Sequence, residues 1–284
     1  MPPRKAPTAR QCRLGSELRR IRESAGISLT EAAAQLSTDR TTMSNVESGR
    51  FGVSSERVRM WTRHYGCPDS TYVDALAAMA RERGRGGWWD DYREEVSAAM
   101  ADLCELEHHA VGFRSFQLMH IPGVLQTEDY ARSVFEQAVP AFSPAQLRRQ
   151  LSLRMRRRDV LDRKEPPTCT FLVHETALRM PFGGERVLRA QLGHLLVESE
   201  RDNVNVRIVP LEAGAIPNTG SSTLYVYGPV RQLDTVQMDT PIGSMLLDAA
   251  PRLTNYRAVL DRVEERSYDP DQSREMIRKV AQQL

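Results

Sequence analysis

The stretch that decides the fold reads Leu36-Ser-Thr-Asp-Arg-Thr-Thr-Met-Ser-Asn-Val-Glu-Ser-Gly49. Asp39 is a good helix N-cap and Gly49 suits the left-handed residue that ends a helix, so a short helix is predicted between them. Its apolar residues, Met43 and Val46, are three positions apart and would place one face on a core. The outward face would then carry the polar side chains of Arg40, Thr41, Thr42, Ser44 and Asn45.

This outward face has the chemistry of a helix that contacts DNA bases. Arginine can bind guanine through two hydrogen bonds, asparagine can do the same to adenine, and threonine offers a methyl group and a hydroxyl. We therefore predict double-stranded DNA as the partner, with contacts from Arg40, Thr41, Thr42, Ser44, Asn45, Ser28 and Arg50. The alternative is a helical module that no longer binds DNA and only mediates protein contacts. A polar, arginine-containing face without acidic residues favours DNA binding.

Further helices are predicted on both sides of this stretch. A first helix is indicated by apolar residues on one face, namely Leu14, Leu18, Ile21 and Ala25. Ser28 and Glu31 form a capping box, which predicts the start of a second helix. Ser54 is the expected cap of a fourth helix, and residues 69–83 are predicted to form a fifth.

These residues resemble the Xre-type, or lambda-repressor-like, helix-turn-helix family, down to its Ser44-x-x-Glu47-x-Gly49 signature. The resemblance implies base contacts from Arg40, Thr41 and Asn45 and a phosphate contact from Ser44. It also implies that Glu47 pairs with an arginine of the first helix, either Arg19 or Arg22. Three departures from the family pattern are Leu29 in place of a common glutamine, Ser37 in place of the turn glycine, and Asp39 close to the DNA backbone.

The length of 284 residues requires a second domain, because a helical bundle over residues 14–83 leaves about 200 residues unassigned. Gly84-Arg-Gly-Gly87 interrupts the helical pattern, so residues 84–91 are predicted as a linker and 92–284 as the C-terminal domain. Residues 1–13 begin with a proline-rich, basic segment and are predicted to form a disordered basic arm.

Charge and cysteine content narrow the class of protein. The net charge is only +2, but residues 1–80 contain twelve Lys and Arg against eight Asp and Glu, which supports a nucleic-acid partner at that end. The four cysteines have no CxxC spacing, so neither a zinc ribbon nor a disulfide framework is indicated. No apolar run reaches membrane-spanning length, and we expect a soluble, cytoplasmic protein.

The C-terminal domain is predicted to mix helices and strands. Thr168–His174 and Val204–Val209 are β-branched runs that flank a helical segment at 185–199, which indicates a βαβ unit. Residues 222–227 and 232–238 flank Gly228-Pro229 and are predicted to pair antiparallel. Helices are predicted at 92–116, 246–264 and 270–283. The fold class is therefore mainly α with an α/β C-terminal part: a five-helix DNA-binding domain and a mixed α/β domain with a small sheet.

A second resemblance rests on Pro122-Gly-Val-Leu-Gln-Thr127, preceded by Leu106-Glu107-x-x-Ala110 and followed by His174-Glu175-x-x-Leu178, Gly183-Gly184 and Gln191-Leu192. In this order these motifs resemble the C-terminal domain, of unknown function, of the WhiJ-like regulators of actinobacteria. Genes of that family tend to neighbour a gene for a small protein, so the resemblance implies a small partner protein that modulates DNA binding. The alternatives are a small-molecule-responsive regulator and an antitoxin-like protein that neutralises the small partner and represses its own promoter.

The C-terminal domain contains no recognisable catalytic motif. Because GxSxG, Walker A, HExxH and dinucleotide-binding patterns are absent, we predict no catalytic residues, no metal and no cofactor. His174 with Glu175, and Cys104 with His108, are interpreted as structural residues. The densest basic cluster comprises Arg148, Arg149, Arg154, Arg156, Arg157 and Arg158. It is predicted to be mostly a solvated helix face, with a second DNA contact or an acidic-partner surface as the alternative.

The expected mode of DNA recognition also predicts the oligomeric state. Helix-turn-helix proteins usually bind two half-sites, so we predict a homodimer on a pseudo-palindromic operator.

Overall fold

A computed structural model describes residues 6–82, 86–217, 222–240 and 243–284. The chain divides into two compact units, Met1–Asp91 and Tyr92–Leu284. Within the described residues, the first unit contains five α-helices and the second contains a six-stranded mixed sheet with helices. The predicted fold class, a helical N-terminal region followed by an α/β part, is therefore confirmed.

The helices of the first unit are α1, Ala9–Ser24; α2, Leu29–Gln35; α3, Arg40–Glu47; α4, Ser55–His64; and α5, Ser70–Glu82. Each of them follows a residue whose side chain accepts a hydrogen bond from the first turn: Asp69 before α5, and before the other four Thr8, Ser28, Asp39 and Ser54. Such a cap pairs a backbone N–H that has no partner within the helix, and so fixes where the helix begins. The last three caps are those predicted from the sequence.

Helix α1 begins earlier than the predicted start at Leu14. The Thr8 hydroxyl accepts a hydrogen bond from the backbone N–H of Gln11, and the Gln11 side chain accepts one from the Thr8 N–H. This capping box makes residues 9–13 helical, which corrects the end of the disordered arm predicted for 1–13. Residues 1–5 lie outside the described residues.

The core of the first unit joins α1, α3, α4 and α5 around the fully buried side chains of Leu18, Met43, Trp61 and Leu76. Helices α1 and α3 approach closely at Gly15, where an added Cβ would lie 2.5 Å from the carbonyl oxygens of Val46 and Glu47. Glycine permits this contact because any larger residue would overlap with the backbone of α3. The contact holds α3 against α1.

The stretch predicted as a linker, residues 84–91, is partly ordered. It runs into a short 3-10 helix, Trp88–Tyr92. Trp89 is buried and its ring contacts that of Trp88 edge-on, with 6.0 Å between the ring centroids. Residues 84 and 85 lie outside the described residues.

The sheet of the second unit consists of β1, Gly112–Gln117; β2, Thr168–His174; β3, Val204–Val209; β4, Thr223–Tyr227; β5, Thr235–Thr240; and β6, Gly243–Leu247. The strand order is β3-β2-β1-β4-β5-β6. Strands β1, β2 and β3 are parallel, whereas β4, β5 and β6 each run antiparallel to their neighbours. The predicted βαβ unit is confirmed, with α10, Glu185–Glu198, between β2 and β3, and so is the antiparallel β4–β5 pair.

Two predicted helices of the second unit are partly wrong. The helix predicted over 92–116 is replaced by α6, Ala98–His109, which is followed by β1. Strand β1 lies in the middle of the sheet and is buried on both faces, so it lacks the alternation of polar and apolar residues that marks a strand. The helix predicted from residue 246 begins only at Ala250, because residues up to 247 pair with β5 as β6.

Helices cover both faces of the sheet. The remaining ones are α7, Glu128–Phe135; α8, Pro144–Arg157; α9, Glu175–Arg179; α11, Ala250–Glu264; and α12, Pro270–Gln283. On one face, the core includes Phe113 of β1, Tyr130 of α7, Leu192 of α10 and Ile277 of α12. On the other face, Phe116 of β1 packs in a core with Leu260 of α11. Among the described residues, no helix is both long enough and apolar enough to cross a membrane.

Candidate nucleic-acid interface

Helix α3 has a fixed start and a fixed end. The Asp39 side chain accepts a hydrogen bond of 2.7 Å from the backbone N–H of Thr42, and hydrogen bonding with the side chain and then the backbone of Thr42 lowers the pKa of Asp39. Gly49 follows the helix with φ +73°, and an added Cβ would lie 2.8 Å from the backbone of Cys12 in α1. A glycine is required here both by the left-handed conformation and by the close approach.

The two apolar residues of α3 point into the core, as their spacing predicts. Met43 is fully buried and Val46 is 2% exposed. On the rest of the helix, Arg40, Thr41 and Ser44 are exposed, while Thr42 and Asn45 are half-buried. The sequence analysis therefore placed the burial of α3 correctly, and all five candidate residues lie outside the core.

Two arginines flank this surface. Arg40 opens α3 and Arg50 follows Gly49, and both are exposed. Neither forms an ion pair or a side-chain hydrogen bond with another residue in the described part of the chain. Each guanidinium therefore keeps its donors available for an external acceptor such as a base edge or a phosphate.

An ion pair under the surface connects α3 with α1. Arg22 donates two hydrogen bonds to the Glu47 carboxylate, at 2.7 and 2.9 Å, and both side chains are less than a tenth exposed. Arg22 also donates to the carbonyl oxygen of Ile27, at 2.8 Å, and its pKa is raised mainly by the hydrogen bonds with Glu47. The predicted pairing of Glu47 with the first helix is confirmed for Arg22, while Arg19 pairs with Glu23 instead.

The turn between α2 and α3 contains a departure from the expected glycine. Ser37 adopts φ +50°, a left-handed conformation that costs a residue with a β-carbon about 1 kcal/mol. Next to it, the hydroxyl of Thr38 accepts a hydrogen bond from Arg57 of α4. The guanidinium of Arg57 also lies over the Trp61 ring, 5.5 Å from its centroid. Arg57 therefore supports this turn, a role that no sequence motif indicated.

Ser28 has a structural role as the cap of α2. Its hydroxyl accepts a hydrogen bond from the Glu31 N–H, and the Glu31 carboxylate accepts one of 2.8 Å from the Ser28 N–H. The serine is exposed, so its hydroxyl hydrogen remains able to donate to an external acceptor.

A second buried carboxylate in the first unit was also missed. Glu17 is fully buried and accepts hydrogen bonds from Arg13, Arg20 and the hydroxyl of Tyr72. Burial and the contact with Glu17 raise the pKa of Tyr72 well above its ordinary value. This network joins α1 to α5 and stabilises the bundle behind the candidate surface; its signals in the sequence are the Arg13–Glu17 spacing of four and the Glu17–Arg20 spacing of three.

The residues of the second unit that were considered for catalysis or metal binding form contacts that stabilise the fold. His174 caps α9 by accepting from the Thr176 N–H, and Glu175 binds the Leu211 N–H at 3.0 Å and Arg179 at 2.7 Å. Burial raises the pKa of Cys104 to about 12. In the part of the chain that the structure describes, no three His, Cys, Asp or Glu side chains are grouped as metal ligands.

The arginines of α8 do not form a single solvated face. Arg148, Arg149 and Arg156 are exposed, and the latter two pair with Glu95 and Asp159. Arg154 and Arg157 turn into the unit, so the prediction of a solvated face is wrong for these two. The helical periodicity did not identify Arg154 and Arg157 as inward-facing, because charged side chains are expected to lie in solvent.

The geometry of α3 and a family match agree on the class of the protein. A helix-turn-helix domain model matches residues 13–75, which supports a DNA-binding regulator. A second model, described as a domain of unknown function (DUF5753), matches residues 100–279. That match covers more than half of the chain, which belongs to the DUF5753 family. No curated protein and no solved structure matches the chain.

Proposed function

We propose that this protein is a transcriptional regulator that recognises a specific DNA sequence through α3 of its first unit. The observation that carries the proposal is the arrangement of this helix: its apolar residues are buried, whereas its polar face is solvent-accessible and flanked by Arg40 and Arg50. The buried Arg22–Glu47 pair holds the helix against α1, so the polar face is presented on a rigid support.

The individual contacts follow from side-chain chemistry and from the Xre-type resemblance. We assign base contacts to Arg40, Thr41 and Asn45, a phosphate contact to Ser44, and additional DNA contacts to Ser28, Thr42 and Arg50. Because phosphate contacts release counterions, binding should weaken steeply as salt is added.

The proposal includes a homodimer on a pseudo-palindromic operator, since one helix reads only a short half-site. Sedimentation of the protein with and without a selected duplex tests this directly. A complex with two protein chains per duplex is expected. A single chain on an asymmetric site would contradict the homodimer and leave DNA recognition intact.

The second unit is proposed to regulate DNA binding without catalysing a reaction. The WhiJ-like resemblance supports a cytoplasmic actinobacterial regulator whose second unit binds a small partner protein encoded nearby. Co-expression of the neighbouring small protein, followed by copurification and a DNA-binding assay, tests this part. Failure to copurify, or copurification with unchanged affinity for DNA, would contradict modulation by that partner.

Selection of bound duplexes from a random DNA pool is the decisive experiment. The wild type should enrich a palindromic sequence, whereas the double variant Arg40→Ala/Asn45→Ala should enrich none, because two of the three side chains assigned to base contacts are truncated. A matched control is Arg252→Ala/Asn255→Ala, which removes an exposed arginine and asparagine from α11 of the second unit. This control should enrich the same sequence as the wild type.

The single variant Arg40→Ala sharpens the assignment. It should cost about 1–3 kcal/mol on the selected sequence and relax the preference at one base pair in each half-site. An equal loss on every sequence would assign Arg40 to phosphate. Absence of enrichment by the wild type would reject sequence-specific recognition by the protein alone.

A further inference from the structure

Helix α8 places two arginines inside the second unit, but only one has a carboxylate partner. Arg157 donates two hydrogen bonds to Glu107 of α6, at 2.8 and 2.6 Å, and both side chains are less than a tenth exposed. Arg154, almost one turn earlier, forms no ion pair with a described residue. Its guanidinium donates to Oε1 of Gln126 and lies over the Phe135 ring, 4.7 Å from the centroid. The pair of cations therefore shares one buried carboxylate.

The excess positive charge is costly for a folded protein. Burial, and secondarily the charge of Arg157, lowers the pKa of Arg154 to about 9, which leaves it charged at neutral pH. An unpaired charge in a poorly solvated position destabilises the fold, because protein groups replace its hydration incompletely. Arg154 is half-buried, so its side chain retains some solvent-accessible surface.

The segment between β1 and α7 is shaped around Arg154. An added Cβ at Gly123 would lie 3.1 Å from a terminal nitrogen of Arg154, so glycine leaves room for the guanidinium. Gln126 is fully buried, donates to the Ile121 carbonyl at 2.7 Å and accepts from Arg154. Pro122-Gly-Val-Leu-Gln-Thr127, the stretch that carries the family resemblance, thus positions an arginine that forms no ion pair with a described residue.

The sheet beneath this segment presents polar side chains in place of a continuous apolar layer. Ser115 of β1, Leu224 of β4 and Gln237 of β5 are in register, so their side chains share one face. Gln117 and Asp239 are two residues further along β1 and β5 and lie on the same face. The hydroxyl of Ser115 and Oε1 of Gln117 are buried without a hydrogen-bond partner.

His120 completes this group of side chains. Its Nδ1 is buried without a hydrogen-bond partner, and its pKa is lowered by burial and then by the charge of Arg154, against the opposing charge of Asp239. The neighbouring Met119 is 49% exposed, so this part of the chain reaches the protein surface. Ser115, Gln117 and His120 each carry a buried polar atom without a hydrogen-bond partner among the described residues, and His120 lies within range of the Arg154 charge.

We propose that Arg154, His120, Ser115 and Gln117 form a binding site for a small carboxylic acid in its carboxylate form. The planar guanidinium matches a carboxylate, and Arg154 forms no ion pair with a carboxylate of the described residues, although the charge of Asp239 acts on it. A doubly charged phosphate fits less well because Asp239 lies at the border of the site. Ser115 and Gln117 supply acceptors for a hydroxyl or amino group of the ligand. This site is independent of the DNA-binding surface proposed for the first unit.

Thermal unfolding of the full chain tests the site with sodium glycolate as the probe, which carries a carboxylate and one hydroxyl. The reference conditions are sodium chloride and sodium phosphate at the same ionic strength, and glycolamide is the neutral compound of matched size. Far-UV circular dichroism follows both units, whereas tryptophan fluorescence reports the first alone, because all three tryptophans belong to it; a transition seen by dichroism and not by fluorescence is that of the second unit. Glycolate at about ten times its Kd should raise the unfolding midpoint by about 3 °C relative to chloride.

Arg154→Met should abolish the glycolate response, whereas Arg156→Met, which removes an exposed arginine from the same helix, should retain it. If Arg154→Met does not fold, Arg154→Lys keeps the charge without the planar fork and should weaken glycolate binding about tenfold. The proposal is overturned if glycolate gives no increase in the wild type. It is also overturned if glycolamide or phosphate stabilises equally, or if the variants at Arg154 respond like the wild type.

Discussion

Each unit contains an arginine–glutamate pair buried between two helices, but the surroundings of the two pairs differ. In the first unit, Arg22 and Glu47 neutralise each other, and the nearby Arg40 and Arg50 remain in solvent. In the second unit, Glu107 pairs with Arg157 while Arg154 adds a further positive charge inside the protein. In the first unit, Arg40 and Arg50, which form no ion pair with a described residue, lie on the surface. In the second unit, Arg154 forms no ion pair with any residue that the structure describes and lies within the protein.

Removal of the carboxylate from the second unit should have the largest effect on stability. Glu107→Ala leaves Arg157 buried without a partner beside Arg154, so the free energy of unfolding should fall by about 3–5 kcal/mol. Urea unfolding followed by far-UV circular dichroism measures the loss. Glu128→Ala removes an exposed carboxylate that pairs with Arg132 and should cost less than about 1 kcal/mol. Equal losses for the two variants would mean that the buried Glu107–Arg157 pair contributes no more to stability than an exposed pair.

The corresponding change in the first unit should cost less. Glu47→Ala leaves the buried Arg22 with only the exposed carboxylate of Glu23, at 3.6 Å, and should destabilise the unit by about 3 kcal/mol. Tryptophan fluorescence is suitable because Trp61 is fully buried in this unit. Asp74→Ala, at an exposed pair with Arg59, is the control and should have little effect. If Glu47→Ala lowered the free energy of unfolding more than Glu107→Ala does, the second arginine beside Arg157 would not add to the cost of losing the carboxylate.

Two Gly→Ala substitutions, one in each unit, should change the free energy of unfolding in opposite directions. Gly15→Ala forces a β-carbon against the carbonyl oxygens of Val46 and Glu47 and should destabilise the first unit by about 1–3 kcal/mol. Gly193→Ala lies on the exposed side of α10 with no atom within 4 Å of the new carbon, and should stabilise the second unit by about 0.5–1 kcal/mol. Chemical denaturation of both variants tests the pair. Stabilisation by Gly15→Ala would show that α1 and α3 are not tightly packed.

The smallest expected effect is on the pH dependence of the free energy of unfolding. Burial and the charge of Arg154 lower the pKa of His120 in the folded state, so the neutral form contributes stability above the unfolded-state pKa near 6.5. That contribution is lost as the pH falls from neutrality through the folded-state pKa, because the unfolded chain binds the proton more readily. His120→Gln should therefore reduce the loss of stability between pH 7 and pH 5. An unchanged pH dependence in urea unfolding would show that His120 does not contribute.

Local sequence signals predicted the first unit in detail because most of its elements are defined by neighbouring residues. Ser28, Asp39 and Ser54 each form the predicted cap, and Met43 and Val46 occupy the predicted core. These features depend on backbone N–H groups or on helical spacing within a few residues. The assignment of base and phosphate contacts to particular side chains remains a prediction that awaits DNA-binding measurements.

The second unit was harder to predict because its decisive interactions join distant residues. Strand β1 pairs with β2 and β4, more than fifty residues away in the chain, and it is buried on both faces. Its sequence therefore lacks the polar and apolar alternation of a strand that faces solvent on one side. Likewise, Arg154 and Arg157 have the composition of a solvated helix surface and nevertheless turn inward.

The sequence by itself determined the helix caps, the buried residues of α3, the βαβ unit and the resemblance to a helix-turn-helix family, because each rests on local periodicity or on a short motif. Tertiary structure alone decided that Arg22 rather than Arg19 pairs with Glu47, and that Glu107 pairs with Arg157 while Arg154 has no counter-ion. Charge is a property of a residue type, but its cost depends on burial and on the groups that the fold brings beside it.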